Sequence, residues 1–397
     1  MHVINSADPA GGGPIEGVKQ RGIVLEQMGH TVEVVSLDQR TPETEKWMAE
    51  FPLKLYALGP KQGKFGYSAH LVPWLMQNAA NYDGVVVNGL WQYHGYAVHK
   101  AMTQLKRPYV VFTHGMLDPW FKQTYPLKHL KKMLYWRMGE YRVLRDAAAV
   151  LFTCEEEKIL ARQSFSPYKV NERVVSYGSP GPSKPIGDLQ KIFLDAFPNL
   201  QNKRIILFLG RIHPKKGCDL LIEAFAKVAH QNDLRLVIAG PDQTGWQSQL
   251  QARAQTLGIA DQITWAGMIT GDLKWGAFGA AEAFILPSHQ ENFGISVAEA
   301  LSCGTPVLIS NKVNIWREIE SDGAGLVQPD TLEGTVQLLE TWMGLDDAQK
   351  AEMKIKALTC FRSKFEIHAA ATSLVDLLDD CSDVKLVADP IQMEKNS

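Results

Sequence analysis

A two-domain α/β protein with parallel sheets is what this 397-residue sequence predicts, and three observations predict it. The first is the stretch Phe284 to Ser310. Its apolar run ends at Leu286, a polar turn follows from Pro287 to Asn292, a helical segment runs from about Gly294 to Ser302, and Gly304 to Pro306 breaks the chain before a second apolar run, Val307 to Ile309. Strand, loop, helix, strand is the repeating unit of a parallel sheet. The second is that the same alternation runs twice along the chain, interrupted by Ser179-Pro180-Gly181-Pro182-Ser183-Lys184-Pro185, whose composition is that of a linker. The third is length, which exceeds what one hydrophobic core ordinarily organises.

Composition narrows the class. With 45% hydrophobic and 21% charged residues and a net charge of −2, the chain reads as an ordinary globular protein. The five cysteines, Cys154, Cys218, Cys303, Cys360 and Cys381, show no C-x-x-C pair and no metal-ligand spacing, which suits a reducing cytoplasm. No apolar run approaches the roughly 18 residues of a membrane span, and Met1 to Ile4 lacks the charged region of a signal peptide. The expected location is therefore cytoplasmic.

In chain order, His2 to Ser6 predicts a strand. Gly11-Gly12-Gly13-Pro14 then opens a helix whose residues Ile15, Val18, Gly22 and Leu25 recur at helical spacing up to Gly29, and Thr31 to Leu37 is the next strand. A strand, a glycine loop and a helix can turn backbone N–H groups to a phosphate, although the pattern is not G-x-G-x-x-G and a plain tight turn fits it equally. Asp83 to Asn88 and Pro108 to Phe112 predict further buried strands. The second ends in Thr113-His114-Gly115, where the carboxyl end of a strand would meet a ligand. His94 and His99 are assigned to the surface or to packing. Ala147 to Thr153 and Arg173 to Tyr177 complete the strands of the first half, and residues 1–180 are taken as one domain.

Asp118 to Arg145 departs from the rest of the chain. It holds seven Lys or Arg against two acids, a net of +5, with Trp120, Phe121, Tyr125, Tyr135, Trp136 and Tyr141 interleaved. On one helical projection Leu127, Leu130, Leu134, Met138 and Tyr141 form a stripe, and Lys128, Lys131, Lys132 and Arg142 lie beside it. These four cations are the candidates for docking on an anionic membrane surface. A helix packed on its own domain with a solvated basic face fits the same pattern. No nucleic-acid motif accompanies the charge.

The second half, residues 186–365, restarts the alternation with strands at Arg204 to Leu209, Leu234 to Ala239 and Ile263 to Ala266 and helices at Cys218 to Ala229 and Gln247 to Leu257. After the first strand stands Gly210-Arg211-Ile212-His213-Pro214-Lys215-Lys216-Gly217. Arg211 and Lys216 bring a planar fork and a point charge to a strand end beside a helix start, a place suited to a diphosphate, whereas Lys215 reads as solvated. In the Phe284 to Ser310 stretch, Phe293, Gly294 and Ile295 would present backbone N–H groups at a helix start, which favours a phosphate. Glu291 and Glu299 flank that point. Carboxylates beside an anion would accept hydrogen bonds from hydroxyls on either side of it, and a ligand with hydroxyls flanking a diphosphate is a nucleotide-sugar. After Thr331 the chain reads as mainly helical, with a last amphipathic helix at Ile367 to Leu378 (taken as residues 366–380) and a frayed tail over 381–397.

E-N-F-G-I-S-V-A-E followed by A-L-S-C-G-T-P-V resembles the E-x7-E signature, and its sequel, of the retaining glycosyltransferases of family 4, and Gly210 to Gly217 resembles their G-R-x-x-x-x-K-G element. The resemblance implies the GT-B fold: two Rossmann-like doubly wound domains facing across a cleft, with the last helix crossing back to the first domain. It implies transfer of a sugar from a nucleotide-diphosphate sugar to a glycan or lipid-linked acceptor, with retention, without a metal ion and without a further cofactor. By the same resemblance Arg211 and Lys216 bind the phosphates, Glu299 holds the ribose, Glu291 contacts sugar hydroxyls, His114 contacts the transferred sugar, and Gly12 and Gly13 lie near the donor phosphates. T-H-G-M-L-D-P-W resembles members that build bacterial surface polysaccharides or exopolysaccharides. A nucleotide-sugar epimerase of the same fold and a non-catalytic membrane or polysaccharide-binding protein are the competing readings. A dinucleotide oxidoreductase lacks its glycine fingerprint here.

Overall fold

The computed structural model describes residues 1–229 and 233–383. The chain divides into two compact units, Met1–Tyr177 with the helix Ile367–Asp383, and Gly178–Glu366. The first division falls just ahead of the Pro/Gly-rich linker, which counts with the second unit.

The first unit is built on a parallel sheet of β1 (His2–Ile4), β2 (Glu33–Ser36), β3 (Lys54–Ala57), β4 (Val86–Asn88), β5 (Val110–Phe112), β6 (Ala149–Phe152) and β7 (Glu172–Val174). Its order is β3-β2-β1-β4-β5-β6-β7. The register aligns Val35, Val3, Val87, Val111 and Val150 across five strands, and all are fully buried. Runs of β-branched residues covered on both faces are what a parallel sheet requires. The helix Ile367–Asp383 belongs to this unit, where Leu374 is buried and Leu378 lies against Gly84. It runs past the expected end at Leu378 as far as Asp383, and the rest of the expected tail lies outside the described residues.

The second unit has β8 (Arg204–Leu209), β9 (Leu234–Ala239), β10 (Ile263–Gly267), β11 (Ala283–Leu286), β12 (Val307–Ser310) and β13 (Gly325–Gln328), ordered β10-β9-β8-β11-β12-β13 and all parallel. Val237, Leu207, Phe284 and Val307 align across it without exposure. In each sheet the strand order reverses once, between β1 and β4 and between β8 and β11. In open α/β sheets ligands bind outside the carboxyl ends of the strands at such a reversal.

The basic stretch differs from the single helix expected. It forms three short pieces, Trp120–Thr124, Pro126–Tyr135 and Tyr141–Arg145, with a π-helical turn at Trp136–Glu140. The extra residue in a π turn rotates the helix beyond it. Leu127, Leu130, Leu134 and Met138 stay exposed, but Tyr141 swings inward onto Trp136, with ring centroids 5.6 Å apart. Lys132 also departs from the expected basic flank. It is half-buried, with its ammonium 4.4 Å from the Trp91 ring centroid, so only Lys128, Lys131 and Arg142 of the four docking candidates are exposed.

Candidate functional site

In the second unit the loops leaving the adjacent strands β8 and β11 pack directly on one another. After β8, a 3₁₀ turn at Pro214–Lys216 is capped by the His213 ring, which accepts the Lys215 N–H at 3.1 Å, and ends at Gly217 with φ 67°. A Cβ on Gly217 would lie 2.2 Å from the Pro287 carbonyl oxygen, so glycine is required both for the backbone sign and for the approach of the second loop. The Lys215 carbonyl oxygen accepts the His289 N–H and the Ser288 hydroxyl, each at 2.8 Å. Lys215 is thereby half-buried rather than solvated, and its ammonium reaches Gln290 Oε1 at 3.4 Å.

This interlock delivers Lys216 to Glu291. Their ammonium and carboxylate are in direct contact, with side chains 16% and 20% exposed. Glu291 is fixed through its backbone, whose N–H donates to Lys312 O at 2.9 Å while its carbonyl accepts from Asn314 N–H at 3.0 Å. Burial first, then the Arg211 charge, draws the Lys216 ammonium down to about 8. Arg211 stands on the same loop but apart from this pair, exposed, with its guanidinium donating to Gln243 Oε1 at 3.2 Å.

The helix Ile295–Ser302 follows at once. Gly294 caps it at φ 71°, and Val297 and Ala298 donate the first intrahelical bonds to the Gly294 carbonyl, at 2.8 and 3.3 Å. The amides of Ile295 and Ser296 precede those bonds and form the first turn of the helix. Phe293, expected among the anion-facing amides, lies ahead of the cap, and its buried ring packs edge-on against Phe365 at 5.7 Å. Glu299 is buried in the second turn and pairs with Lys274 at 2.6 Å. The Lys274 ammonium also sits 4.4 Å from the Trp275 ring centroid. Lys274 comes from the helix Gly271–Ala280, which the sequence motifs do not mark. Each glutamate of the pair thus has its own lysine.

In the first unit, Gly12 caps the helix Gly13–Gln27 with φ 81°, and Gly12 and Gly13 both have open space where a side chain would be. The Tyr177 hydroxyl donates to the Gly13 carbonyl and accepts the Gly17 N–H at 3.1 Å, which pins the first turn. His114 follows β5 at φ 49°, stacked on Phe112 at 5.5 Å, with Nε2 3.3 Å from Asn88 Oδ1. Burial chiefly, then the charges of Arg21 and His94, holds its imidazole down to about 3, so it is neutral. Arg21, also unanticipated, is buried with its guanidinium 4.8 Å from the Phe112 ring centroid and donates to the Tyr177 carbonyl at 3.1 Å. His94 is no surface residue. It is fully buried, 2.9 Å from the Asn88 carbonyl, and burial brings it down to about 4. Among the described residues, no group of three His, Cys, Asp or Glu is placed to hold a metal ion.

Two doubly wound parallel α/β units, each with polar loops at the reversal of its strand order, define the GT-B class of fold. Residues 191–357 match the family model Glycosyl transferases group 1, and residues 22–178 match that of the Glycosyl transferase 4-like domain. Between them the two take in most of the chain, which belongs to this glycosyltransferase family. A D-inositol 3-phosphate glycosyltransferase of Gordonia bronchialis is 30% identical over 190 residues, 44% of this chain and 40% of that protein. An uncharacterized glycosyltransferase of Methanocaldococcus jannaschii is 30% identical over 146 residues, 36% and 37% of the two chains. The curated relatives are matched over only about a quarter to half of their own length. Among solved structures, HepE of Anabaena in complex with UDP superimposes with a TM-score of 0.74 at 19% identity, over 96% of this chain and 99% of that one. At that identity the likeness is one of fold.

Proposed function

We propose that the chain is a retaining glycosyltransferase that moves a sugar from a nucleotide-diphosphate sugar to a glycan or lipid-linked acceptor. The observation that carries this reading is the Lys216–Glu291 contact beside the glycine-capped start of the Ile295–Ser302 helix. A cation and a helix start at one strand end suit a diphosphate, and a carboxylate next to them suits the hydroxyls that flank it. As the glycosidic bond breaks, negative charge grows on the leaving phosphate. Lys216, Arg211 and the amides of the Gly294 cap and of Ile295 behind it then act as preorganised electrostatic catalysts, and with them the reaction proceeds without a metal ion. Glu299, oriented by Lys274, holds the ribose hydroxyls, and Phe293 supports that turn from the core. Glu291 turns from Lys216 to the sugar hydroxyls once the diphosphate takes the ammonium. His114, neutral, offers a hydrogen bond rather than a charge to the transferred sugar, and Gly12 and Gly13 leave room beside the donor phosphates.

The UDP, UDP–glucose pair and UDP-glucose found with HepE support a nucleotide-sugar as donor. A role in bacterial surface polysaccharide synthesis, on the cytoplasmic face of the membrane, is the reading that the T-H-G-M-L-D-P-W stretch and the basic helix favour. The test is to incubate the protein with UDP-, GDP- and ADP-sugars, with and without a membrane extract as acceptor, and to follow the anomeric proton by NMR. Sugar incorporated only with acceptor, in the donor's own anomeric configuration, is the expected outcome. Epimerised donor formed without acceptor would make the chain an epimerase, and an inverted product would remove retention.

A further inference from the structure

The loop after β3 and the helix after β4 bring a row of tyrosines to the surface of the first unit. Residues 62–67 close a tight turn through the paired backbone bonds of Gln62 and Tyr67, at 2.8 and 3.1 Å. Gly66 has φ 74°, and a Cβ there would lie 2.8 Å from Asn5 Oδ1, so the turn packs against the residue that follows β1. The Phe65 carbonyl accepts the Tyr93 N–H at 2.8 Å, which ties the turn to the start of the helix Tyr93–Leu105, the helix that follows β4. The sheet order reverses between β1 and β4, so these groups stand at its ligand end. Tyr67 and Tyr96 are 45% and 41% exposed, while Tyr93 between them is buried. Ring centroids are 4.9 Å apart for Tyr67 and Tyr93 and 6.1 Å apart for Tyr93 and Tyr96, and the Phe65 ring props Tyr93 edge-on at 5.8 Å. Burial first, then the Tyr67 and Tyr96 phenols, push the Tyr93 phenol above its ordinary value, which places the three hydroxyls near one another. Among the described residues, none of the three hydroxyls is hydrogen-bonded to the protein. A tyrosine packed this closely ordinarily gives its hydroxyl a partner.

We propose that Tyr67, Tyr93 and Tyr96 form a ledge on which a pyranose ring of the acceptor stacks, so that the acceptor is one that presents a saccharide. The proposal rests on the glycosyltransferase reading for the word acceptor alone. The chemistry of the ledge selects its occupant. A pyranose carries C–H bonds on its faces and hydroxyls around its rim. The C–H bonds, slightly positive, meet the negative face of a phenol ring, and the phenol hydroxyls at the ring edges both donate to and accept from the rim. A lipid chain would use the ring faces and leave the hydroxyls without partners, and a phosphate would use the hydroxyls and not the faces. Tyrosine also gives up little conformational freedom on binding, because only two side-chain torsions are fixed. Position agrees with this assignment. Asn88, the last residue of β4, has its Oδ1 3.3 Å from His114 Nε2 and its carbonyl 2.9 Å from the ring of His94, the helix neighbour of Tyr93. One residue thus links the ledge to the histidine assigned to the transferred sugar.

Saturation-transfer NMR with maltotetraose, cellotetraose, mannotetraose and chitotetraose tests the ledge. The wild type is expected to bind at least one of them, with the strongest saturation on ring C–H protons. Tyr67→Ser with Tyr96→Ser should weaken that binding at least tenfold. Tyr67→Phe with Tyr96→Phe keeps the rings and drops the hydroxyls, and should weaken it less. Both double variants alter exposed side chains, and circular dichroism confirms their fold. No binding of any of the four saccharides by the wild type, or equal binding by the serine variant, overturns the ledge. So does a wild type that forms a concentration-dependent dimer which the serine variant dissolves, because the tyrosines would then be a contact between copies. Thermal stabilisation by nucleoside diphosphates is read on the same proteins. Stabilisation by one of them without saccharide binding would remove the ledge and leave the glycosyltransferase reading in place. Saccharide binding that the serine variant loses, with no nucleotide stabilisation in any protein, would strike the glycosyltransferase reading and leave the ledge standing as a saccharide-binding surface.

Discussion

Lys216 and Glu291 meet across two loops that leave neighbouring strands, 75 residues apart in sequence, and each is held from behind by its own backbone. An ammonium and a carboxylate already fixed in contact need little rearrangement to exchange one another for phosphate and hydroxyl. The pairing also keeps a half-buried charge from standing alone, which would be costly. Glu299 with Lys274 repeats the arrangement one helix turn on.

Lys216→Ala is expected to lower turnover by roughly 10² to 10³-fold, the effect of removing one preorganised donor from a developing anion. Steady-state kinetics on a variant with unchanged circular dichroism checks it. A change within threefold would detach Lys216 from the phosphate.

The titration of Lys216 sets the alkaline limb. Its proton is lost near pH 8 in the unliganded protein, so kcat/KM, which reports the free enzyme, should fall as pH rises through about 8 and approach tenfold per unit. Lys216→Arg keeps its charge throughout and should lose that limb. A profile flat to pH 9.5 in the wild type would contradict this.

Glu299→Gln should weaken donor binding by about 10- to 100-fold, the range for a hydrogen bond to a charged group. Lys274→Met should weaken it less, because Lys274 acts by orienting Glu299. Binding isotherms with a donor and its 2′,3′-dideoxyribose analogue separate the roles: the glutamate variant should no longer discriminate between the two. Unchanged discrimination would remove Glu299 from the ribose.

His114 should remain neutral throughout the working range, since burial and the Arg21 and His94 charges place its titration near 3. Followed by the imidazole carbon-bound proton in NMR, it should show no titration between pH 5 and 8. A midpoint within that range would contradict the buried position.

Glu140 offers a prediction about stability. Burial, opposed by the Trp91 N–H, lifts its carboxyl from 4.5 to about 7, so the folded chain holds a proton that the unfolded chain gives up. The stability linked to that proton is full below about 4.5 and is lost as pH rises through 7. Glu140→Gln should therefore be more stable than the wild type at pH 8, by about 1–3 kcal/mol, with little difference at pH 4.5. Urea unfolding at the two pH values measures it.

The features legible in the sequence are those that announce themselves locally. Val307 to Ile309 and the buried valine strands carry their own periodicity, and the loops after β8 and β11 carry glycines and charges whose chemistry is specific. The edge strand β3, Lys54–Ala57, is half-exposed and carries no such run, so the sequence does not reveal it. Lys274 is equally silent because nothing near it in sequence marks its partner, which lies 25 residues away on another helix. The π turn at Trp136–Glu140 has no local signature either, and an uninterrupted helical projection puts Tyr141 on the wrong side; Lys132 precedes the turn and is drawn in by the Trp91 and Phe121 rings, which lie elsewhere in the sequence. Arg21 sits among helical core positions, where the Phe112 and Tyr177 rings and the Tyr177 carbonyl receive its guanidinium.

The most direct test is thermal unfolding with UDP, GDP, ADP and dTDP for the wild type and Lys216→Ala. The account predicts that at least one nucleoside diphosphate, at 100 times its dissociation constant, stabilises the wild type by about 2.7 kcal/mol, and that Lys216→Ala loses most of this gain at the same concentration. No stabilisation by any of them, or equal stabilisation of both proteins, would contradict it.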